Sequence, residues 1–383
     1  MGQSVRFGAV KMEKFDVCYL SVDSIQEGVG SSQITPLILG LAMKGKLVCL
    51  ISFEKVKPPK ELLEKFSKAG VVWIVKDFGK PGAIGGLKRL NLLRRSVPNS
   101  LVIHGRSDIA TAAGIWSRVK APVLWDVRSL WSDQRLLIGT TGWNRLTARG
   151  ARVLEDVAAH NSMAMSTLTA AVVPILEERH KKIPKIREVI PTCVQTSKFL
   201  ASPMPKGQVT CLISGTFNNY YDIERTREIL RVLKDKVHIR IIWARAAESP
   251  LKTLGVGEDV IITASHSEMP KIVRESHFGI AICKDDSSAS LSAAVPTKIG
   301  EFLASGRPVI VSSGIGDLDQ MLTSTKTGVV IDHRDSLQEL GQRIHKILSH
   351  PKTPDRCREL AMEHFDMEKS IDRYLDIYER MLH

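Results

Sequence analysis

The stretch PTKIGEFLASGRPVI, residues 296–310, contains the signals that decide the fold. Proline followed by Thr297 is typical of a helix start, and Gly306 shortly after the last apolar position is typical of a helix end. These signals predict a helix over residues 297–304. The apolar run at 308–312 then predicts a buried strand. A short helix followed at once by a buried strand is the repeating piece of a parallel α/β sheet.

The same alternation occurs in both halves of the chain. In the first half the predicted strands are 17–22, 47–53, 71–75, 101–104 and 122–125. In the second half they are 209–214, 238–243, 260–263, 278–283 and 308–312. Prolines punctuate the chain near residues 190–205. The sequence thus predicts an α/β protein of two doubly wound domains, 1–190 and 191–360, followed by a C-terminal helical segment, 361–383. Two such domains would face each other across a ligand cleft.

The predicted helix at 297 has the chemistry of a phosphate site. Its first amides and the positive end of its dipole attract an anion. Lys298 in the first turn would destabilise the helix when no ligand is bound, but it would stabilise a bound diphosphate. Glu301, one turn later, can accept hydrogen bonds from two ribose hydroxyls. The small residues of 287–290 would let a ligand approach closely.

Residues 296–310 resemble the nucleotide-sugar signature of retaining glycosyltransferases of family 4, which have the two-domain GT-B fold. Residues 15–54 resemble the opening strand, glycine loop, helix and strand of that family. The segments HGRS (104–107) and WDVRSLWSD (125–133) resemble motifs of a polysaccharide-building branch. Residues 155–166 and 189–191 are similar to the stretch that leads into the domain linker. The resemblance extends over nearly the whole chain.

The resemblance implies a metal-independent hexosyltransferase that works with retention. Its donor would be a nucleotide diphosphate sugar, UDP-glucose or a similar one, used as a substrate, and no cofactor is expected. Its acceptor would be a hydroxyl of a carbohydrate or a lipid-linked sugar in cell-surface polysaccharide or glycolipid synthesis. The C-terminal helix would pack back on the first, acceptor-binding domain, and the second domain would bind the donor.

The chain departs from the family pattern at several positions. Ala294 stands where many relatives have a first glutamate, seven residues before Glu301. The basic pair usual after the first strand of the second domain is absent from residues 215–221. Arg128 stands where a sugar-contacting histidine is common, and Gln195 stands where the linker often has an aspartate. We therefore expect Arg245 and Lys298 to meet the charge of the diphosphate.

Two sets of site residues follow. The glycine turn GVGSS, 28–32, would bring backbone amides to the diphosphate. The predicted nucleotide-sugar-binding residues are Gly30, Ser31, Gly215, Thr216, Arg245, Pro296, Thr297, Lys298 and Glu301. Polar side chains at the ends of two predicted first-domain strands are expected to reach the ligand. The predicted catalytic residues are His104, Arg106, Asp126 and Arg128. Asp133 and Glu155 are weaker candidates.

The positive charge of the protein is concentrated in one half. The 383 residues carry a net charge of +13. Residues 1–190 hold 29 Lys and Arg against 16 Asp and Glu, whereas residues 191–383 hold 25 of each. Lys88, Arg89, Arg94 and Arg95, interleaved with leucines, suit an anionic membrane surface. An aromatic content of 5% without a nucleic-acid-binding motif argues against nucleic acid.

The expected location is the cytoplasm, with peripheral association at the inner face of the plasma membrane. No apolar run approaches the ~20 residues of a membrane-spanning helix. Met1 to Lys14 lacks the apolar region of a secretory signal. The six scattered cysteines form no CxxC pair, which indicates reduced, packed thiols.

Three other functions compete with this interpretation. A nicotinamide dehydrogenase would use the glycine turn and Glu54, but Gln33 occupies the place of the third glycine of that fingerprint. A nucleotide-sugar epimerase would share the fold. A non-catalytic scaffold of a polysaccharide-assembly complex would explain Ala294 and the missing basic pair.

Overall fold

The computed structural model describes residues 14–26, 28, 30–137, 139, 141–214, 220–234, 237–242, 261–262, 264–265, 267–285 and 289–383. The chain divides into two compact units. The first consists of Met1–Ile190 with Met367–His383, and the second of Pro191–Asp366. Each unit is built around its own parallel sheet, so the predicted α/β class with two Rossmann-like domains is confirmed.

The first unit contains a seven-stranded parallel sheet. Its strands are β1 (Phe15–Leu20), β2 (Val48–Glu54), β3 (Val72–Asp77), β4 (Ser100–Arg106), β5 (Val123–Val127), β6 (Ala164–Thr167) and β7 (Ile186–Val189). They lie in the order β3-β2-β1-β4-β5-β6-β7. The strand order reverses between β1 and β4, which is where doubly wound sheets bind ligands.

Seven helices connect these strands in the described part of the first unit. They are α1 (Thr35–Met43), α2 (Lys60–Lys68), α3 (Ala83–Ser96), α4 (Ser107–Ile115), α5 (Trp131–Leu137), α6 (Gly142–Asn161) and α7 (Val172–His180). A π-helical turn, Gly30–Ile34, leads into α1. The main core lies between the sheet and the helices that cover it, and buries Leu20, Ile51, Phe53, Leu93 and Ile103.

The second unit contains a six-stranded parallel sheet. Its strands are β8 (Thr210–Ser214), β9 (His238–Ile242), β10 (Ile261–Ile262), β11 (Phe278–Ala281), β12 (Val309–Ser312) and β13 (Gly328–Ile331). Their order is β10-β9-β8-β11-β12-β13, with the reversal between β8 and β11. The described helices are α8 (Ile223–Leu233), α9 (Met269–Arg274), α10 (Ala289–Ser292), α11 (Thr297–Ala304), α12 (Leu318–Thr325), α13 (Leu340–Leu348) and α14 (Thr353–His364).

The C-terminal segment is divided between the units. The sequence predicts one returning segment from residue 361, but α14 ends at His364 and remains in the second unit. The last helix, α15 (Met367–Leu382), packs against α1 and β7 of the first unit. Its apolar positions, including Ile371 and Ile377, are buried there.

Candidate functional site

The carboxyl end of the second sheet brings several chain segments together where the strand order reverses. Residues Tyr220–Asp222 run antiparallel beside the residues that follow β11. Tyr221 forms an isolated bridge with Cys283. Asp222 N donates to Ile282 O over 3.0 Å, and Lys284 N donates to Tyr220 O over 3.0 Å. This pairing fixes Tyr220 and Tyr221 at the reversal point, where a doubly wound sheet binds ligands.

The two tyrosines contact the short helices that follow. The Tyr220 hydroxyl donates to the Ser290 carbonyl in α10 over 2.6 Å. The Lys298 ammonium lies 4.2 Å from the centre of the Tyr221 ring, a cation–π contact that holds it beside the start of α11. The cation predicted from the sequence is therefore beside the residues that mark the reversal point.

The start of α11 is electrostatically positive. The helix spans the predicted residues, Thr297–Ala304, and its N-cap, Pro296, provides no side-chain hydrogen bond to the first turn. No acidic residue lies in that turn. The first turn therefore carries no anionic side chain of its own, and Lys298 adds a full positive charge. An anion such as a phosphate is stabilised in this setting.

Glu301 is half-buried one turn further along α11. Burial raises the pKa of its carboxyl to about 7, although the Lys298 charge opposes the shift. Within the described part of the chain, this carboxylate has no hydrogen-bond partner. A polar group in such a place gains stability when a ligand supplies hydroxyl donors.

Close packing fixes α11 on the sheet. A Cβ atom on Gly279 of β11 would lie 2.3 Å from the Phe302 ring, so only glycine lets this ring lie flat on the strand. A Cβ on Gly300 would lie 3.1 Å from Val194 and 3.3 Å from Phe365. The helix that carries Lys298 and Glu301 is therefore held by close contacts: a methyl group on Gly279 would displace the Phe302 ring, and one on Gly300 would press on Val194 and Phe365.

Arg307, just after α11, is a structural residue that the sequence analysis missed. Its side chain is fully buried, and it donates to the carbonyl oxygens of Ser202, Pro203 and Arg274. Burial lowers its pKa to about 10. Because its donors are used inside the unit, it joins the segment after the domain boundary to α9 and is not a phosphate ligand.

The segment that leads into the glycine turn of the first unit is fixed by Glu54. The buried Glu54 carboxylate accepts hydrogen bonds from the Ser24 hydroxyl, the Ile25 amide, the Gln26 side chain and the Ser52 hydroxyl. A dehydrogenase would need such a carboxylate free for a ribose. Its four internal bonds therefore argue against the nicotinamide alternative.

Gly30 and Ser31 lie at the start of the π-helical turn. A Cβ on Gly30 would lie 1.9 Å from the Ser24 carbonyl oxygen, so this position requires glycine for packing. The Ser31 hydroxyl donates to the Gly28 carbonyl over 2.9 Å. Local packing and hydrogen bonding therefore account for both residues, and their role in donor binding stays a prediction.

Three of the four predicted catalytic residues come together at the ends of β4 and β5. Asp126 Oδ2 accepts from Arg128 Nε over 2.7 Å and lies 3.2 Å from His104 Nε2. Helix α15 closes the group. The Tyr378 hydroxyl lies 2.7 Å from His104 Nδ1, and the Tyr374 hydroxyl accepts from Arg128 Nη2 and donates to Asp126 Oδ1. We call these five residues the tyrosine-capped cluster.

The cluster is buried and its charges are mutually balanced. Burial alone would raise the pKa of Asp126, but the Arg128 charge, followed by His104 and Arg106, holds it well below its usual range. Burial lowers the pKa of His104, so the imidazole is neutral near pH 7. The ring of His104 has no exposed surface. This geometry indicates that the cluster holds α15 in position. A catalytic role for these residues stays a prediction.

Arg106, the fourth predicted catalytic residue, is also buried. Its Nε lies 3.8 Å from the carboxylate of Asp23, which is exposed. Asp133 and Glu155 belong to a separate ion-pair network. Arg179 donates to Asp133 over 3.0 Å and to Glu155 over 2.9 Å, which connects α5, α6 and α7. This network accounts for both carboxylates structurally.

The basic cluster on α3 is smaller than the sequence predicts. The Arg89 guanidinium is buried, lies 4.1 Å from the centre of the Phe78 ring, and donates to the carbonyls of Phe78 and Lys80. Arg94 donates to the side chain of Asn91. Arg89 is therefore a structural residue and does not reach a membrane surface, whereas Lys88 and Arg95 are exposed.

Some predicted positions cannot be placed. Gly215, Thr216 and Arg245 lie outside the described residues. Among the residues that are described, no cluster of three or more His, Cys, Asp or Glu side chains is arranged to hold a metal ion. In the same residues, no helix combines the length and apolar character needed to cross a bilayer.

Comparison with solved structures defines the class of fold. Sucrose-phosphate synthase from Thermosynechococcus elongatus is similar with a TM-score of 0.72 and 14% identity, over 96% of this chain and 99% of that chain. WaaG, a glycosyltransferase involved in lipopolysaccharide biosynthesis, gives 0.67 and 13%, over 94% and 99%. Anabaena HepE in complex with UDP and glucose gives 0.69 and 12%, over 96% and 100%. These likenesses show the GT-B fold.

The comparison with family models gives a match within the second unit. Residues 209–350 match the family described as Glycosyl transferases group 1. That segment contains both sides of the reversal point and the whole of α11. No curated protein matches the sequence. The comparisons therefore show the GT-B fold for the chain and a segment of the second unit, residues 209–350, that matches the group 1 glycosyltransferases.

Proposed function

We propose that this protein transfers a hexose from a nucleotide diphosphate sugar, with a UDP-sugar as the expected donor, to a hydroxyl of a carbohydrate or lipid-linked acceptor. The observation that carries the proposal is the start of α11. Three features lie within two turns, inside the segment that matches the family: a helix start without a side-chain cap, a cation held against Tyr221, and a carboxylate that has no hydrogen-bond partner among the described residues. HepE, with the same fold, has been crystallised with UDP and glucose, which supports a uridine donor.

In this proposal the diphosphate lies at the first turn of α11 and the ribose hydroxyls donate to Glu301. The bond between the sugar C1 and the diphosphate oxygen breaks, and a new bond forms between C1 and the acceptor oxygen. The acceptor proton passes to the leaving diphosphate. The amides of α11 and Lys298 stabilise the negative charge that develops on the leaving group. Attack from the face of departure would give retention without a nucleophilic carboxylate or a metal ion.

The proposed setting is cell-surface polysaccharide or glycolipid synthesis at the cytoplasmic face of the plasma membrane. Two observations support it. WaaG, which shares the fold, acts in lipopolysaccharide biosynthesis. The excess positive charge lies entirely in residues 1–190, the half expected to meet the acceptor.

The first experiment is donor hydrolysis with a panel of nucleotide sugars, with and without carbohydrate acceptors. We expect one uridine sugar to be turned over, and we expect Lys298→Ala and Glu301→Ala each to lower kcat/KM by roughly 100-fold, about 2.7 kcal/mol. Lys346→Ala and Glu339→Gln change exposed charges of the same unit and serve as matched controls with unchanged turnover.

The other outcomes distinguish the alternatives. Interconversion of the donor sugar without an acceptor would indicate an epimerase. Binding of UDP without turnover of any donor would indicate a scaffold. Protection from thermal unfolding by NAD but not by UDP would contradict the proposed site.

A further inference from the structure

A surface of the first unit combines exposed apolar side chains with positive charge. Helix α3 presents Ile84, Leu87 and Leu92 to solvent, and helix α6 presents Trp143, Leu146 and Val153. Each of these six side chains is between 46% and 68% exposed. Single exposed apolar residues are ordinary, but a group of six on two helices marks an interaction surface.

The six side chains form regular helix faces. On α3 the apolar positions 84, 87 and 92 share one face with Lys88 and Arg95. On α6 the positions 143, 146 and 153 share one face with Arg149. Both helices pack against α4, so they lie on the same side of the sheet. We call these nine residues the α3–α6 patch.

The charge around the patch has one sign. Residues 80–153 contain 13 Lys and Arg but only 3 Asp and Glu, a surplus of +10 out of the net +13 of the protein. The three acids are Asp108 and Asp126, both buried, and Asp133, which is bound to Arg179. Seven of the cations are exposed. No carboxylate within residues 80–153 is exposed, and Asp156, the next partly exposed acid on α6, is paired with His180.

We propose that the α3–α6 patch docks the protein on an anionic lipid bilayer. Cations that surround exposed Leu, Ile and Trp side chains suit an interface where phosphate headgroups lie above hydrocarbon. The amphipathic Trp143 ring suits the headgroup level. A second copy of this chain is a poor partner, because two surfaces of the same sign repel each other. Single-stranded nucleic acid needs stacking aromatics, and the patch has one.

This inference refines the membrane setting of the proposed function, and its test is independent of the donor site. The purified protein is floated with phosphatidylcholine vesicles and with vesicles that contain about one third phosphatidylglycerol, in the absence of nucleotide. We expect retention on the anionic vesicles that weakens with salt. Lys88→Gln/Arg95→Gln should weaken binding about 30-fold, since each cation near such a surface contributes about fivefold. The matched control, Arg231→Gln/Lys346→Gln, removes two exposed cations of the second unit and should bind as wild type.

The apolar contribution is tested separately. Trp143→Ser/Leu146→Ser should lower the affinity by about 10-fold or more, whereas Met43→Ser/Leu200→Ser, two exposed apolar residues elsewhere, should not. Since all these side chains are exposed, the melting temperatures should stay close to wild type. The fluorescence of the wild type should shift to the blue on anionic vesicles, and that shift should be lost in Trp143→Phe.

Three results would overturn the proposal. The first is absence of retention on anionic vesicles, and the second is equal retention of patch and control variants. The third is concentration-dependent dimerisation, or binding of single-stranded RNA, that depends on the patch while vesicle binding does not. UDP binding is measured separately without vesicles, so failure of the donor site and failure of the patch are distinguishable.

Discussion

The two sheets place polar side chains at their carboxyl ends, but the two groups are completed in different ways. In the first unit, Asp126 and Arg128 neutralise each other, and the Tyr374 hydroxyl of α15 bonds to both of them. In the second unit, Lys298 rests on a tyrosine ring and Glu301 has no hydrogen-bond partner among the described residues. The carboxylate and the guanidinium of the first group have internal partners, so this group should stabilise the fold. The second has unused capacity and should bind a ligand.

The largest expected effect is on stability, from Asp126→Asn. The amide keeps the shape but removes the negative charge and turns a donor toward Arg128 Nε. An uncompensated buried guanidinium remains, so we expect a loss of about 3–5 kcal/mol in the free energy of unfolding, measured by urea denaturation.

The matched control is Asp372→Asn on the same helix that covers the cluster. Asp372 forms an exposed ion pair with Lys44 at 2.7 Å, and such pairs contribute about 0–1 kcal/mol. Equal effects of the two substitutions would show that the tyrosine-capped cluster does not hold α15. Catalytic loss with full stability in Asp126→Asn would restore the predicted catalytic role.

A smaller effect is expected from Gly279→Ala, which tests how the second site is held. The added methyl group would push the Phe302 ring off β11 and shift α11, with an expected cost of about 2 kcal/mol. Because Lys298 and Glu301 move with the helix, UDP affinity measured by calorimetry should fall as well.

Gly150→Ala provides the contrast for this substitution. Gly150 lies within α6 and its Cβ would meet nothing within 4 Å. Alanine there should raise stability by about 1 kcal/mol through helix propensity, without effect on UDP affinity. Unchanged UDP affinity in Gly279→Ala would mean that α11 does not position the donor.

The sequence predicts the central strands and α11 well, because their signals are local. For the central strands, which are apolar runs, the predicted ends lie within about two residues of the observed ends. The predicted and observed bounds of α11 are the same at both ends. The sequence analysis missed β6, β7 and β13. Each has four residues, and the segments AMST and IREV have too few apolar positions to indicate strands.

The sequence predicts site residues only where they lie close together along the chain. Lys298 and Glu301 lie on one helix, so their spacing is visible in the sequence. The partners of Asp126 cannot be seen in the sequence, because Tyr374 is 248 residues away along the chain. In the same way, the contacts that bury Arg307 and Glu54 depend on tertiary packing. Residue type alone therefore could not separate a buried polar cluster from a ligand site.

The smallest expected effect is the pH dependence of stability that Glu301 contributes. Burial raises the pKa of its carboxyl from 4.5 to about 7 in the folded protein. Between these values the folded state binds a proton that the unfolded state releases, so stability is greatest at low pH and is lost as the pH rises. Glu301→Gln removes this dependence.

We therefore expect the stability of the wild type, relative to Glu301→Gln, to fall by about 1 kcal/mol between about pH 5 and pH 8, a value reduced for partial exposure. Glu339→Gln should show no such change. The affinity for UDP should move in the opposite direction and rise with pH, because the ionised carboxylate is the form that accepts ribose hydroxyls. If stability and UDP affinity both fell as the pH rises, the nucleotide would bind away from Glu301. The contrast between the polar groups at the carboxyl ends of the two sheets would then no longer hold.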